Sequence, residues 1–222
     1  MEQDALMESM SAEALQALYA KTVYVLRESR KETLRRYGVD SEAALLARIR
    51  NGEVDEHPAY DHYLSALIFE QTRMQMRSEM MEQFNGAPAV ADVCMHLIFK
   101  DKLERLYAQR MTEPVRLAQD AIMLSFDTGL MMEVRYVSSA EFSLNWSWGE
   151  AELRIDTAPV HAGGATFPVH VHDENGRVRA SPVAWTDPDG WQDFSGLLEV
   201  LLLDPLLERS GFWRDWNDDV KL

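Results

Sequence analysis

From about residue 11 to residue 110 the apolar residues recur every three or four positions, and from residue 121 to 185 they alternate between turns. A period near 3.6 belongs to an amphipathic helix and a period of two to a half-buried strand, so the chain must build helices first and a sheet afterwards. The composition changes a little further along. All twelve methionines lie at or before Met132 and all six tryptophans at or after Trp146.

Within the first part, Ser11 opens a helix whose face is Leu15, Leu18, Tyr19 and Leu26, and Gly38 stops it. Asp40 caps a short helix through Leu45, Leu46 and Ile49, ending at Gly52. Pro58 suits the first turn of a long helix marked by Tyr60, Leu64, Leu67, Met74, Met81 and Phe84, because its missing N–H is unpaired there anyway. A further helix is expected from near Pro88 to Arg110, and a short one opening at Pro114.

The second part reads as six strands: 121–126, 130–137, 142–148, 152–157, 167–172 and 178–185. Asp127-Thr128-Gly129 and Asn175-Gly176 are hairpin turns. Strands that follow one another without intervening helices make an antiparallel meander. Leucines then surround a helix from Ser195, which is expected to be buried against the sheet. The fold class is therefore α+β, an N-terminal helical layer followed by an antiparallel meander of about six strands and a buried C-terminal helix. A chain of 222 residues holds one or two domains. The break divides it into a helical part, 1–120, and a sheet-plus-helix part, 121–222, which together can make one continuous domain.

Charge narrows the partners. The net charge of −15 is zero over residues 1–50, −6 over 51–130 and −9 over 131–222. Such a field repels phosphate, so nucleic acid and anionic membranes are disfavoured and a basic protein or a metal ion is favoured. The single cysteine, Cys94, sits in an apolar run and reads as a small buried hydrophobe. With no secretion-signal pattern and no stretch long enough to span a bilayer, a cytoplasmic setting is expected.

Two segments have the composition of binding surfaces. Residues 186–219 carry nine acids against two arginines, and Trp213 and Trp216 stand there beside Asp215, Asp218 and Asp219, the pairing of aromatic anchors with charge found at interface hot spots. Arg27, Arg30, Lys31 and Arg35 fall on one helix face and make a basic stripe, suited to an anion or to an acidic surface of the same or a second chain. The function these features favour is a non-catalytic acidic binding protein of the immunity, inhibitor or accessory type, with a basic protein as partner and no cofactor.

The alternative is a metal-dependent enzyme or metal-binding protein. His170 and His172 lie two apart on a strand and so point to one face, where two imidazoles can share a divalent ion such as zinc, with His161 as a third ligand. Gly164, five residues and then His170-Val171-His172 resembles the opening of the cupin metal motif. The resemblance implies a glutamate ligand three or four positions later and a further histidine downstream. Here Glu174 comes two positions later and no histidine follows His172. A second cluster is His57 and Asp61, four apart, which can meet on the first turn of a helix as a base and its orienting acid. Acids crowd helix starts for the dipole alone, so the plainer reading there is a solvated first turn.

Overall fold

The computed structural model describes residues 11–85 and 94–208. Among them the helices are α1 (Ala12–Arg35), α2 (Glu42–Arg50), α3 (Glu56–Asn85), α4 (Met95–Tyr107) and, near the C-terminus, α5 (Trp191–Leu203). Ser11 caps α1 by accepting the Ala14 N–H, and Ser41, rather than Asp40, caps α2 through Ala44 N–H. His57 keeps extended dihedrals, φ −113° and ψ 136°, so regular helix in α3 begins only after it. The expected helix start at Pro88 lies outside the described residues, and α4 is seen from its N-cap, Cys94.

Seven strands form one antiparallel sheet in chain order: β1 (Arg116–Leu117), β2 (Ile122–Ser125), β3 (Met131–Ser138), β4 (Glu141–Trp148), β5 (Ala151–Asp156), β6 (His170–His172) and β7 (Val178–Ala180). The class and the meander are as the alternation implies. Two details are corrected. The segment after Pro114 is not a helix, because Arg116 and Leu117 pair with Met123 and Ile122 as the added edge strand. The last two strands are shorter than 167–172 and 178–185, since Pro168 and Pro182 have no N–H to give to a ladder.

The two faces of the sheet differ. One carries Ile122, Leu124, Met132, Val134, Tyr136, Phe142, Leu144, Trp146, Leu153, Ile155 and Val171, all buried against Phe99 and Leu103 of α4 and Phe194, Leu197, Leu198 and Leu201 of α5. Gly190, at φ +69°, starts α5 where a Cβ would overlap the Tyr136 hydroxyl. The other face offers the intervening residues, among them Arg135, Ser143, Asn145, Arg154, Asp156, His170 and His172. Part of it is covered by α3, which α1 and α2 back up in a second apolar cluster containing Leu34, Leu45, Ile49, Tyr60, Leu64 and Ile68 together with Val137 and Ala158 from the sheet side.

Candidate metal centre

Register assembles the polar face. Ser143 stands opposite Asp156, and Asp156 opposite His170, while Arg154 stands opposite His172. Neighbouring strands are about 4.8 Å apart, so residues paired in register on one face lie within reach of one another. The loop between β5 and β6 brings His161 over the same spot, and the start of α3 lowers Glu56 and His57 onto it.

The result is a cluster of six possible ligands. Glu56 Oε1 is 2.9 Å from His170 Nε2 and 3.5 Å from His172 Nε2, and Glu56 Oε2 is 2.8 Å from His161 Nε2. His172 Nε2 lies 3.1 Å from His170 Nε2 and 3.3 Å from His57 Nε2. Asp156 places Oδ1 3.4 Å from His170 Nε2 and Oδ2 3.3 Å from His57 Nε2. Four of the chain's six histidines therefore meet two carboxylates.

Hydrogen bonding alone accounts poorly for this packing. His170 Nδ1 is 2.8 Å from the Pro168 carbonyl, which can only accept, so Nδ1 carries the proton and Nε2 of a neutral ring presents a lone pair. That lone pair faces a carboxylate oxygen and a second imidazole nitrogen. Asp156 is fully buried, and its Oδ2 has no hydrogen-bond partner although it points among the rings. A buried carboxylate with one oxygen lacking a hydrogen bond is costly unless its neighbours carry positive charge, so such an arrangement calls for a cation or for protons on the rings. Without a metal, protons must supply the charge. Burial would raise the Glu56 carboxyl, but hydrogen bonds to His170 and His172 hold it well below the usual carboxylate range. Burial would lower His170, and the contact with Glu56 and the charge of Asp156 raise it instead.

A metal ion fits the same space. Ligand atoms about 2.0–2.2 Å from one ion stand about 2.8–3.6 Å from their neighbours, the range spanned by the contacts above. The Pro168 carbonyl on His170 Nδ1 is the outer-shell partner that fixes a ligating ring. His57 and His172 also line a cleft of about 760 Å³ over the polar face, together with Asp61, Arg135, Asn145 and Arg154. The walls are tied down: Asp61 accepts from Ser143 Oγ at 2.8 Å and pairs with Arg154 at 3.1 Å, and Arg135 pairs with Asp120 and Glu133.

Of the residues singled out in the sequence, His161, His170 and His172 are brought together. The glutamate that joins them is Glu56, from α3, not Glu174. His57 and Asp61 do not meet as base and orienting acid: His57, outside the regular helix, turns to Asp156 and His172, whereas Asp61 turns to Ser143 and Arg154. The basic stripe is paired within the chain, Arg30 with Glu42 at 2.6 Å, Arg27 and Lys31 with Glu28, and Arg35 with Glu32. Trp213, Asp215, Trp216, Asp218 and Asp219 lie outside the described residues. Glu56 stands in the sequence beside His57 in the acidic run from Asp55 to Asp61, where the helix dipole accounts for it, and Asp156 only as the end of a strand; neither is marked as a ligand by local spacing.

The family model described as the Uncharacterized protein MJ0235 family matches residues 3–89, a stretch that includes Glu56 and His57 but none of the sheet. No curated protein and no solved structure matches the chain.

Proposed function

We propose that the protein is a metal-dependent enzyme, holding a divalent first-row transition ion through Glu56, His161, His170 and His172 at the end of the cleft. The observation that carries the reading is the meeting of imidazole Nε2 atoms with one another and with buried carboxylate oxygens at ligand-to-ligand spacings. Imidazole and carboxylate without thiolate suit zinc, iron or manganese. Four protein ligands close a tetrahedral site, so catalysis requires an ion that expands to five or six ligands, and the His172 and His57 side of this cluster fronts the cleft from which water would reach it. A divalent ion there supplies a Lewis acid and lowers the pKa of a bound water to about 7, the requirement for hydrolysis at neutral pH. Arg154 and Asn145 beside it provide donors to orient a polar substrate.

The test is elemental analysis of untagged protein beside a His170→Ala, His172→Ala double variant. Near-stoichiometric transition metal in the wild type and background levels in a folded double variant are expected. Equal metal content in the two would overturn the reading. Loaded wild type is then offered chromogenic esters, phosphoesters and amides, with turnover of one class that a chelator abolishes as the expected result. Stoichiometric metal with no turnover in any class would reduce the protein to a metal binder.

A further inference from the structure

Four donors suffice for one ion, and that leaves His57 and Asp156 unexplained. The six residues do not form one ligand group. They form two, Glu56 with His161, His170 and His172, and Glu56 with His57, Asp156 and His172, each with its donor atoms within 4.8 Å of one another. His57 and His161 never share a group. Opposite ligands of a single octahedral ion stand about 4.0–4.4 Å apart, so a single ion does not take all six.

From this geometry we infer that the centre holds two metal ions, the second bound by His57 and Asp156 and bridged to the first by Glu56. The inference rests on the metal reading given above. Glu56 reaches both groups: Oε2 lies 2.8 Å from His161, and Oε1 lies 2.9 Å from His170, 3.5 Å from His172 and 3.6 Å from His57, between the two positions. Asp156 is placed to join it, with Oδ1 toward His170 and Oδ2 toward His57. The Oδ2 atom is the independent mark of the second ion, because it is a fully buried carboxylate oxygen with no hydrogen bond, and the nearest Nε2 belongs to the one histidine the first ion does not use. His172 stands between the two positions, 3.1 Å from His170 and 3.3 Å from His57. With only three protein ligands and with His57 on the cleft wall, the second ion is the one with open positions. Paired ions about 3.5–4 Å apart would clamp the attacking and leaving oxygens of an in-line displacement, which directs attention to phosphoester hydrolysis rather than to a lone structural metal.

The decisive measurement is ion stoichiometry on full-length untagged protein, stripped with chelator and reloaded with manganese(II). Elemental analysis should give two ions per chain, and electron paramagnetic resonance should show an exchange-coupled pair. His57→Ala should keep one ion, lose the coupled signal and keep its circular dichroism; Asp156→Asn, which retains an oxygen for the Ala158 N–H, is the second variant and should behave alike. One ion in the wild type would overturn the second site and leave the single-metal reading standing. No ion in the wild type would overturn both. A folded His57→Ala that keeps two ions, or loses both, would overturn the assignment of His57.

Discussion

His96 gives the most direct check on how burial shapes this protein. It lies at the start of α4, 2% exposed, with Nε2 accepting the Tyr136 N–H at 2.9 Å, and burial lowers its pKa from 6.5 to about 4. The folded pKa is depressed, so the folded protein keeps the ring neutral while the unfolded chain takes up a proton below pH 6.5. The unfolded state then binds more protons, and stability falls as pH falls. The full effect is about 3 kcal/mol at about 1.36 kcal/mol per pKa unit, reached only below pH 4. Between pH 7.5 and pH 5, before that limit, the linkage expression gives a loss of about 2 kcal/mol. His96→Gln retains an acceptor for the amide but does not titrate. Urea unfolding of chelator-stripped protein at the two pH values, wild type against variant, isolates the residue. Other groups, including His170 with its opposite shift, contribute equally to both proteins. A smaller fall in the variant, by about 2 kcal/mol, is expected; parallel falls in the two proteins would refute the account of His96 as a neutral buried acceptor.

Saturating zinc, at about 1,000 times its Kd, should stabilise the wild type by about 4 kcal/mol. For a chain of this size that raises Tm by roughly 8–16 °C in a thermal melt, with no rise in the His170→Ala, His172→Ala variant. Gly190→Ala should cost about 3 kcal/mol in urea unfolding, since it adds left-handed strain to overlap with the Tyr136 hydroxyl. Leu201→Ala, at a fully buried position of α5, should cost about 2–5 kcal/mol in the same assay. Trp146→Phe removes the 2.8 Å bond from Nε1 to the Pro205 carbonyl and should cost about 1 kcal/mol or slightly more, read from the denaturant midpoint.

The fold was legible where one period ran long enough to leave no choice. Phe142, Leu144, Trp146 and Trp148 alternate with Ser143, Asn145 and Ser147, and β4 is found over Glu141–Trp148. It was not legible where long-range pairing overrode a local signal. Pro114 signals a helix start, but two residues beyond it gain more by joining Met123 and Ile122 on the sheet edge, a long-range partner that no local window contains. The six-strand count missed only this two-residue edge, and α5 begins at Trp191 rather than Ser195 because Gly190 supplies the turn.

The site was legible by halves, and the reason is the same register that builds it. His170 and His172 show their common face in two-residue spacing alone, but Glu56 is 114 positions from His170 and is joined to it only by packing of α3 on the sheet. The apolar face of the sheet enforces the join. A one-residue slip of β5 and β6 would carry Asp156, His170 and His172 into the core and expose Leu153, Ile155 and Val171, each of which is at most 4% accessible. Burial of such side chains contributes about 1.5–3 kcal/mol apiece, so three of them hold the register with roughly 5–9 kcal/mol before any polar contact is made. The polar side chains on the opposite face are thereby presented in fixed rows, with protons offsetting the carboxylates of Glu56 and Asp156 in the ion-free protein. On the metal reading proposed above, a cation would displace those protons without any rearrangement of the strands, so its binding should strengthen as pH rises.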